Sequence, residues 1–104
     1  MRRPLTSTAG GEFVAGWLRR PPLVVRLYER PGCHLCEEAL DDLAEVGQSM
    51  PLTLERCDIT TRPDWYERYR DRIPVVASGG RELEAPLNLA RLESFLREAR
   101  ARGT

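Results

Sequence analysis

Two thiols three residues apart, in Cys33-His34-Leu35-Cys36, are the side chains of this sequence best suited to chemistry. On the first turn of a helix such a pair comes close enough to form a disulfide while the helix continues beyond it. The first thiol would sit at the helix N-terminus, where unpaired N–H groups and the helix dipole favour a negative charge. Cysteines so placed ionise at about 3.5 to 7.5, below the usual value near 8.5. Unequal roles are therefore expected. Cys33 would be the exposed, ionised nucleophile, and Cys36, one turn further in, the buried thiol that resolves a mixed disulfide.

The remaining candidates are few. His34, the only histidine, stands next to Cys33. A protonated imidazole there would favour the thiolate, and a solvent-facing residue at the helix start is the equal alternative. The same cysteine spacing also suits half of a zinc site, or a zinc or iron–sulfur site shared between two chains. Within the chain only Cys57 and His34 remain as further ligands. Cys57 reads as a small apolar side chain packed in a strand.

Composition sets the frame for this chemistry. The chain has 104 residues, the length of one domain, and three cysteines, too few for a scaffold stapled by disulfides. Its 16 basic residues, all arginine, balance 16 acidic ones, so no net field points to nucleic acid or to an anionic membrane surface. Met1-Arg2-Arg3 is not followed by an apolar run, which argues against a leader, and no stretch is long enough to span a membrane. A reducing cytoplasm is the expected location, and a closely spaced cysteine pair there suggests redox or metal chemistry.

The elements that must position the thiols follow from periodicity. Residues 1–22 read as an extension: a small, polar, glycine-rich start, then Phe13, Val14, Trp17 and Leu18 at helical spacing, then Pro21-Pro22 as a stop. Leu23 to Tyr28 is an apolar strand, and Glu29-Arg30-Pro31-Gly32 is turn material. A helix is expected from about Cys33 to Val46, with Leu35, Ala39, Leu40, Leu43 and Ala44 on its apolar face and Gly47 as its stop. Leu52 to Ile59 is a second strand whose alternation slips between Leu54 and Cys57. A helix over Pro63 to about Arg70 follows, with Pro in its first turn. Arg68, Arg70 and Arg72 read as a solvated face, and Trp65, Tyr66 and Tyr69 as core or groove wall. Ile73 to Ala77 and Arg81 to Glu84 flank Gly79-Gly80, the signature of a tight hairpin, and Leu89 to Ala99 is an amphipathic helix. The order β-α-β-α-β-β-α favours a parallel first strand pair joined by a right-handed crossover, then an antiparallel hairpin.

The stretch from Val25 to Ala39, with Pro31-Gly32-Cys33-His34-Leu35-Cys36 at its centre, resembles the active-site segment of glutaredoxin-like proteins of the thioredoxin superfamily. It is similar in particular to a small bacterial glutaredoxin-like group that carries P-G-C-H-L-C. The resemblance continues through Cys57-Asp58-Ile59, Tyr69, Arg72-Ile73-Pro74-Val75 and the Gly79-Gly80 hairpin, and covers about residues 23 to 100. It implies an α/β, thioredoxin-like domain over residues 23–102, with a four-stranded mixed sheet of order 2-1-3-4 flanked by helices. It further implies a thiol–disulfide oxidoreductase acting on protein or low-molecular-weight disulfides, as a monomer with no nucleic-acid or membrane partner; a redox-inactive adaptor that docks through residues 1–22 is the alternative beside the metal-binding one. Pro74 would follow a cis peptide bond and lie against the cysteines, while the Ile73 backbone bonds an extended substrate. Tyr69 matches a family aromatic that flanks the site, and Arg30 would supply the positive charge that a lysine provides elsewhere. The sequence departs from glutaredoxins proper, which often carry C-P-Y-C and a glycine turn that helps hold glutathione. Glu84-Ala85-Pro86-Leu87-Asn88-Leu89 stands in place of that turn. No tightly bound cofactor is therefore expected, and glutathione or a thioredoxin reductase would supply the electrons.

Overall fold

The computed structural model describes residues 21–103. The extension expected over residues 1–22 thus lies outside the described residues, apart from the exposed Pro21 and Pro22 that lead into the first strand. Four strands and three helices follow: β1 (Leu23–Glu29), α1 (His34–Val46), β2 (Leu52–Asp58), α2 (Pro63–Tyr69), β3 (Val75–Ser78), β4 (Arg81–Glu84) and α3 (Leu89–Arg102). A 3-10 turn over Ile59–Thr61 joins β2 to α2. The sheet has the order β2-β1-β3-β4, with β1 and β2 parallel and the other pairs antiparallel. That is the thioredoxin-like α/β arrangement, with the strand order and the β-α-β crossover that the sequence implies.

Alternation along the central strands divides the core between the two faces of the sheet. Val25 and Leu27 of β1, with Val76 of β3, bury against Ala39, Leu43 and Val46 of α1 and Leu92 and Leu96 of α3. Tyr28 and Val75 point the other way, where they meet Cys57, Ile59 and Tyr69 in a smaller cluster beneath α2. The apparent slip in β2 resolves in the same terms. Leu52 and Leu54 pack on the larger core, and Thr53 and Glu55 lie exposed on the other face. Cys57 belongs to that second face too, and is buried only because α2 begins to cover the sheet there.

Several boundaries and burials differ from the periodicity. Helix α1 begins at His34, with Cys33 as its N-cap, and its buried face is Cys36, Ala39, Leu43 and Val46. Leu35, expected on that face, is 56% exposed, and Ala44 is exposed as well. Cys36 stands two turns before Leu43 and shares its face, as expected for the buried thiol, whereas Leu35 lies round towards solvent. Strand β3 starts at Val75 rather than Ile73, since Pro74 has no N–H to give to a ladder; the Ile73–Pro74 peptide bond is cis. Tyr66 is exposed, and Arg72 is no free surface cation but bonds Glu82 and Glu84 at 2.8 Å each. At the hairpin Gly79 and Gly80 both have positive φ, +60° and +81°, the backbone that a two-residue turn between twisted strands requires.

Leu43 is fully enclosed between α1, the sheet and α3. Leu43→Ala is expected to destabilise the domain by about 2 to 5 kcal/mol, because it removes apolar burial and leaves a cavity. Denaturant titration should show a lower midpoint at an unchanged slope.

Candidate active site

The cysteine pair sits where the central strand gives way to a helix. Gly32 takes a φ of +76°, and a Cβ built there meets no atom within 4 Å, so backbone conformation and not crowding calls for glycine. Cys33 follows in an extended conformation, and its Sγ accepts a hydrogen bond from the Cys36 N–H at 3.2 Å. A sulfur therefore fills the capping role that a hydroxyl or carboxylate oxygen usually takes, and it stands where the N-terminal partial charge of a 13-residue helix is felt. Cys33 and Cys36 are joined as a disulfide with their Cα atoms 5.2 Å apart. Cys33 is partly exposed, whereas Cys36 is 1% exposed.

One opening includes Cys33 in its wall, and a second is lined by Leu35 from between the two cysteines. The larger, about 460 Å³, is a cleft lined by Glu29, Arg30, Pro31, Gly32, Cys33, Glu37, Arg56 and Asp58. At its edge the Glu29 carboxylate, with a side chain only 10% exposed, accepts bonds from Arg56 Nε at 2.7 Å and Nη2 at 3.2 Å. These bonds hold the Arg56 guanidinium firmly protonated. Asp58 accepts from the Thr60 hydroxyl and backbone N–H, and those bonds hold its carboxyl below the usual range. The smaller opening, about 60 Å³, is a groove between Leu35, Glu38, Ala39, Pro74, Ala85, Pro86 and Leu87. Pro74 is fully buried, and its carbonyl accepts from the Ala85 N–H at 3.1 Å. The following Ala85–Pro86 bond is also cis. Nothing in the composition of Glu84-Ala85-Pro86 signals it.

The family follows from comparison with known proteins. A model of the glutaredoxin-like domain (DUF836) matches residues 24–100. The chain belongs to this glutaredoxin-like family. An X-ray structure of the structural-genomics target protein XcR50 from X. campestris is 32% identical in sequence, with a TM-score of 0.65. The match covers 72% of this chain and 97% of that one. No curated protein matches the chain.

Within this glutaredoxin-like domain the expected site residues fall in different places. Arg30 lines the charged cleft beside Cys33 and is exposed. His34 is 81% exposed and pairs with Glu38 one turn along, Nε2 to Oε2 at 2.9 Å. Pro74 lines the apolar groove, and the Ile73 N–H donates to the Tyr69 carbonyl at 3.1 Å. Tyr69 itself lies on the other face of the sheet, stacked on Tyr28 with ring centroids 4.0 Å apart. It lines neither opening. Cys57 shares that cluster, where burial pushes its thiol pKa up. Among the described residues no group of three or more His, Cys, Asp or Glu side chains is arranged to hold a metal ion. Glu29, Glu37, Arg56 and Asp58 were not singled out from sequence. A signal for the first pair existed: Val25, Leu27 and Glu29 share one face of β1, and Leu52, Leu54 and Arg56 share the same face of its parallel neighbour.

The Tyr69 hydroxyl donates to Glu82 Oε2 at 2.6 Å, and Arg72 donates to Glu82 Oε1 at 2.8 Å. Burial alone would raise the Glu82 carboxyl, but these bonds outweigh it and hold the pKa below the usual glutamate range. A depressed folded-state value contributes stability that is present above the usual range near 4.5 and lost as pH falls through the folded value. Glu82→Gln should therefore lower stability at about pH 7 and leave a smaller further loss between about pH 5 and pH 2 than the parent shows. Parallel curves of unfolding free energy against pH would contradict this role for Glu82.

Proposed function

We propose that this glutaredoxin-like protein is a thiol–disulfide oxidoreductase that reduces disulfides with the Cys33–Cys36 pair. The observation that carries the reading is the asymmetry of the two sulfurs: one caps the helix and is open to a cleft, and the other is buried one turn inside. Starting from the dithiol, the Cys33 thiolate attacks one sulfur of the substrate disulfide, and the first substrate thiolate leaves and takes a proton from water. Cys36 then loses its proton and attacks the Cys33 sulfur. The mixed disulfide breaks, the second substrate thiolate leaves, and the Cys33–Cys36 disulfide remains. The substrate has gained two electrons and the pair has lost two. Glutathione or a thioredoxin reductase returns them in the cytoplasm, and no resident cofactor takes part.

The helix start favours the attacking thiolate, both through its dipole and through the Cys36 N–H aimed at the sulfur. His34, adjacent to Cys33, adds positive charge when protonated. An extended substrate lies along Ile73 and Pro74. Because the Ile73 N–H is already engaged with Tyr69, its carbonyl is the group that docking uses. Tyr69 supports this loop from behind through the same carbonyl contact, so its contribution to substrate binding is indirect.

Insulin reduction by dithiothreitol is expected to lose its protein-catalysed rate in Cys33→Ser. In Cys36→Ser a mixed disulfide between Cys33 and the substrate should accumulate and be visible by mass spectrometry. Full activity in Cys33→Ser would overturn the mechanism.

A further inference from the structure

From the charge pattern of the cleft beside Cys33, we infer that the preferred substrate is a polypeptide disulfide flanked by lysine or arginine. The inference rests on the oxidoreductase reading for its reactive sulfur, and the charges then decide what that sulfur meets. Cys33 forms part of the wall of the larger opening. Five other lining residues carry charge: Glu29, Glu37 and Asp58 against Arg30 and Arg56. Arg56 is spent on Glu29, which leaves two carboxylates and one guanidinium to meet a ligand. The bonds from Thr60 keep Asp58 ionised, and its second oxygen takes no part in them.

The adjoining helix reinforces that sign. Helix α1 carries Glu37, Glu38, Asp41, Asp42 and Glu45 and has no lysine or arginine, and among the described residues only Glu38 of these is tied to a base, His34. Elsewhere among the described residues Arg26, Arg62, Arg72 and Arg81 are engaged by Glu55, Asp64, Glu82, Glu84 and Glu98. The local field at the mouth of the cleft is therefore negative although the chain as a whole is neutral. Cleft walls of low dielectric focus such a field, which favours encounter with cations and opposes anions. A volume of about 460 Å³ accepts a lysine or arginine side chain next to the sulfur under attack. A disulfide partner bearing several carboxylates meets repulsion there.

Two measurements test this on the full chain. In Cys36→Ser, Cys33 reacts with a cationic trimethylammonium-ethyl or an anionic sulfonate-ethyl methanethiosulfonate: a disulfide forms and methanesulfinate leaves. The ratio of the two rate constants, divided by the same ratio for free 2-mercaptoethanol, should be about tenfold at low salt and fall towards one at about 1 M salt. Glu37→Gln and Asp58→Asn should each reduce it several-fold, and Arg30→Gln should raise it. In turnover by the parent protein, a peptide disulfide flanked by lysine should be reduced with a higher kcat/KM than its glutamate counterpart, each rate normalised to reduction by free dithiothreitol. A normalised labelling ratio at or below one, or one indifferent to Glu37 and Asp58, overturns the role of the cleft. A labelling preference without a peptide preference overturns the substrate class. If neither peptide is reduced, the oxidoreductase reading fails, and labelling still decides the electrostatics.

Discussion

The structure turns on the handover from β1 to α1, where one sulfur must end a turn, cap a helix and remain reachable. Gly32 supplies the positive φ that redirects the chain, and Cys33 then takes the extended cap conformation with its Sγ facing the Cys36 N–H. The position of the second sulfur follows from the first. A residue three beyond the cap lies on the face of α1 that continues through Ala39, Leu43 and Val46, so Cys36 is drawn into the core with them. Those side chains hold the helix axis against a central strand that is itself paired on both sides. The helix start is thereby fixed by contacts well away from the sulfurs, which leaves Cys33 accessible without leaving it loose.

A second constraint comes from ending an apolar strand on a carboxylate. Glu29 follows Val25 and Leu27 on the inward face of β1 and is almost as buried as they are. An unpaired carboxylate at that depth would be strongly unfavourable, and pairing restores the balance only with good geometry. The parallel register supplies it, since Arg56 stands opposite Leu27, and its guanidinium reaches forward to take both Glu29 oxygens while keeping solvent contact. Removing Arg56 would cost more than the pair contributes, because the Glu29 carboxylate would remain buried without a partner. The pair also closes the inner side of the cleft, which leaves Glu37 and Asp58 to set its character.

Much of this was legible in the sequence because it is local. The C-x-x-C spacing, the strand before it, the Gly79-Gly80 hairpin and the helical period of Leu89, Leu92 and Leu96 each announce an element within a few residues. Their order then limits the topology to one familiar arrangement. What escaped depends on contacts between distant segments. The burial of Glu29 needs the register of β1 on β2, and the exposure of Leu35 needs the orientation of α1 on the sheet, which turns the face of Cys36, Ala39, Leu43 and Val46 inward. Tyr69 illustrates the limit of motif matching. Its place in the chain suggested the site, yet its hydroxyl is committed to Glu82 across a separate small core. Arg72 looked solvated beside Arg68 and Arg70, and only the hairpin brings Glu82 and Glu84 within its reach.

The two openings near the cysteine pair differ in size and character. The groove along Pro74 is apolar for most of its lining and holds about 60 Å³, enough for one small side chain or a stretch of backbone. Ala85, Pro86 and Leu87 form one side of it. A backbone lying there gains shape complementarity but little discrimination, because every peptide presents the same amides. On the proposed reading discrimination falls to the opening that Cys33 lines, which is several times larger and carries charge. On the proposed reading a substrate disulfide would meet the sulfur between these surfaces, with the first suited to an extended backbone and the second to a charged side chain beside the disulfide.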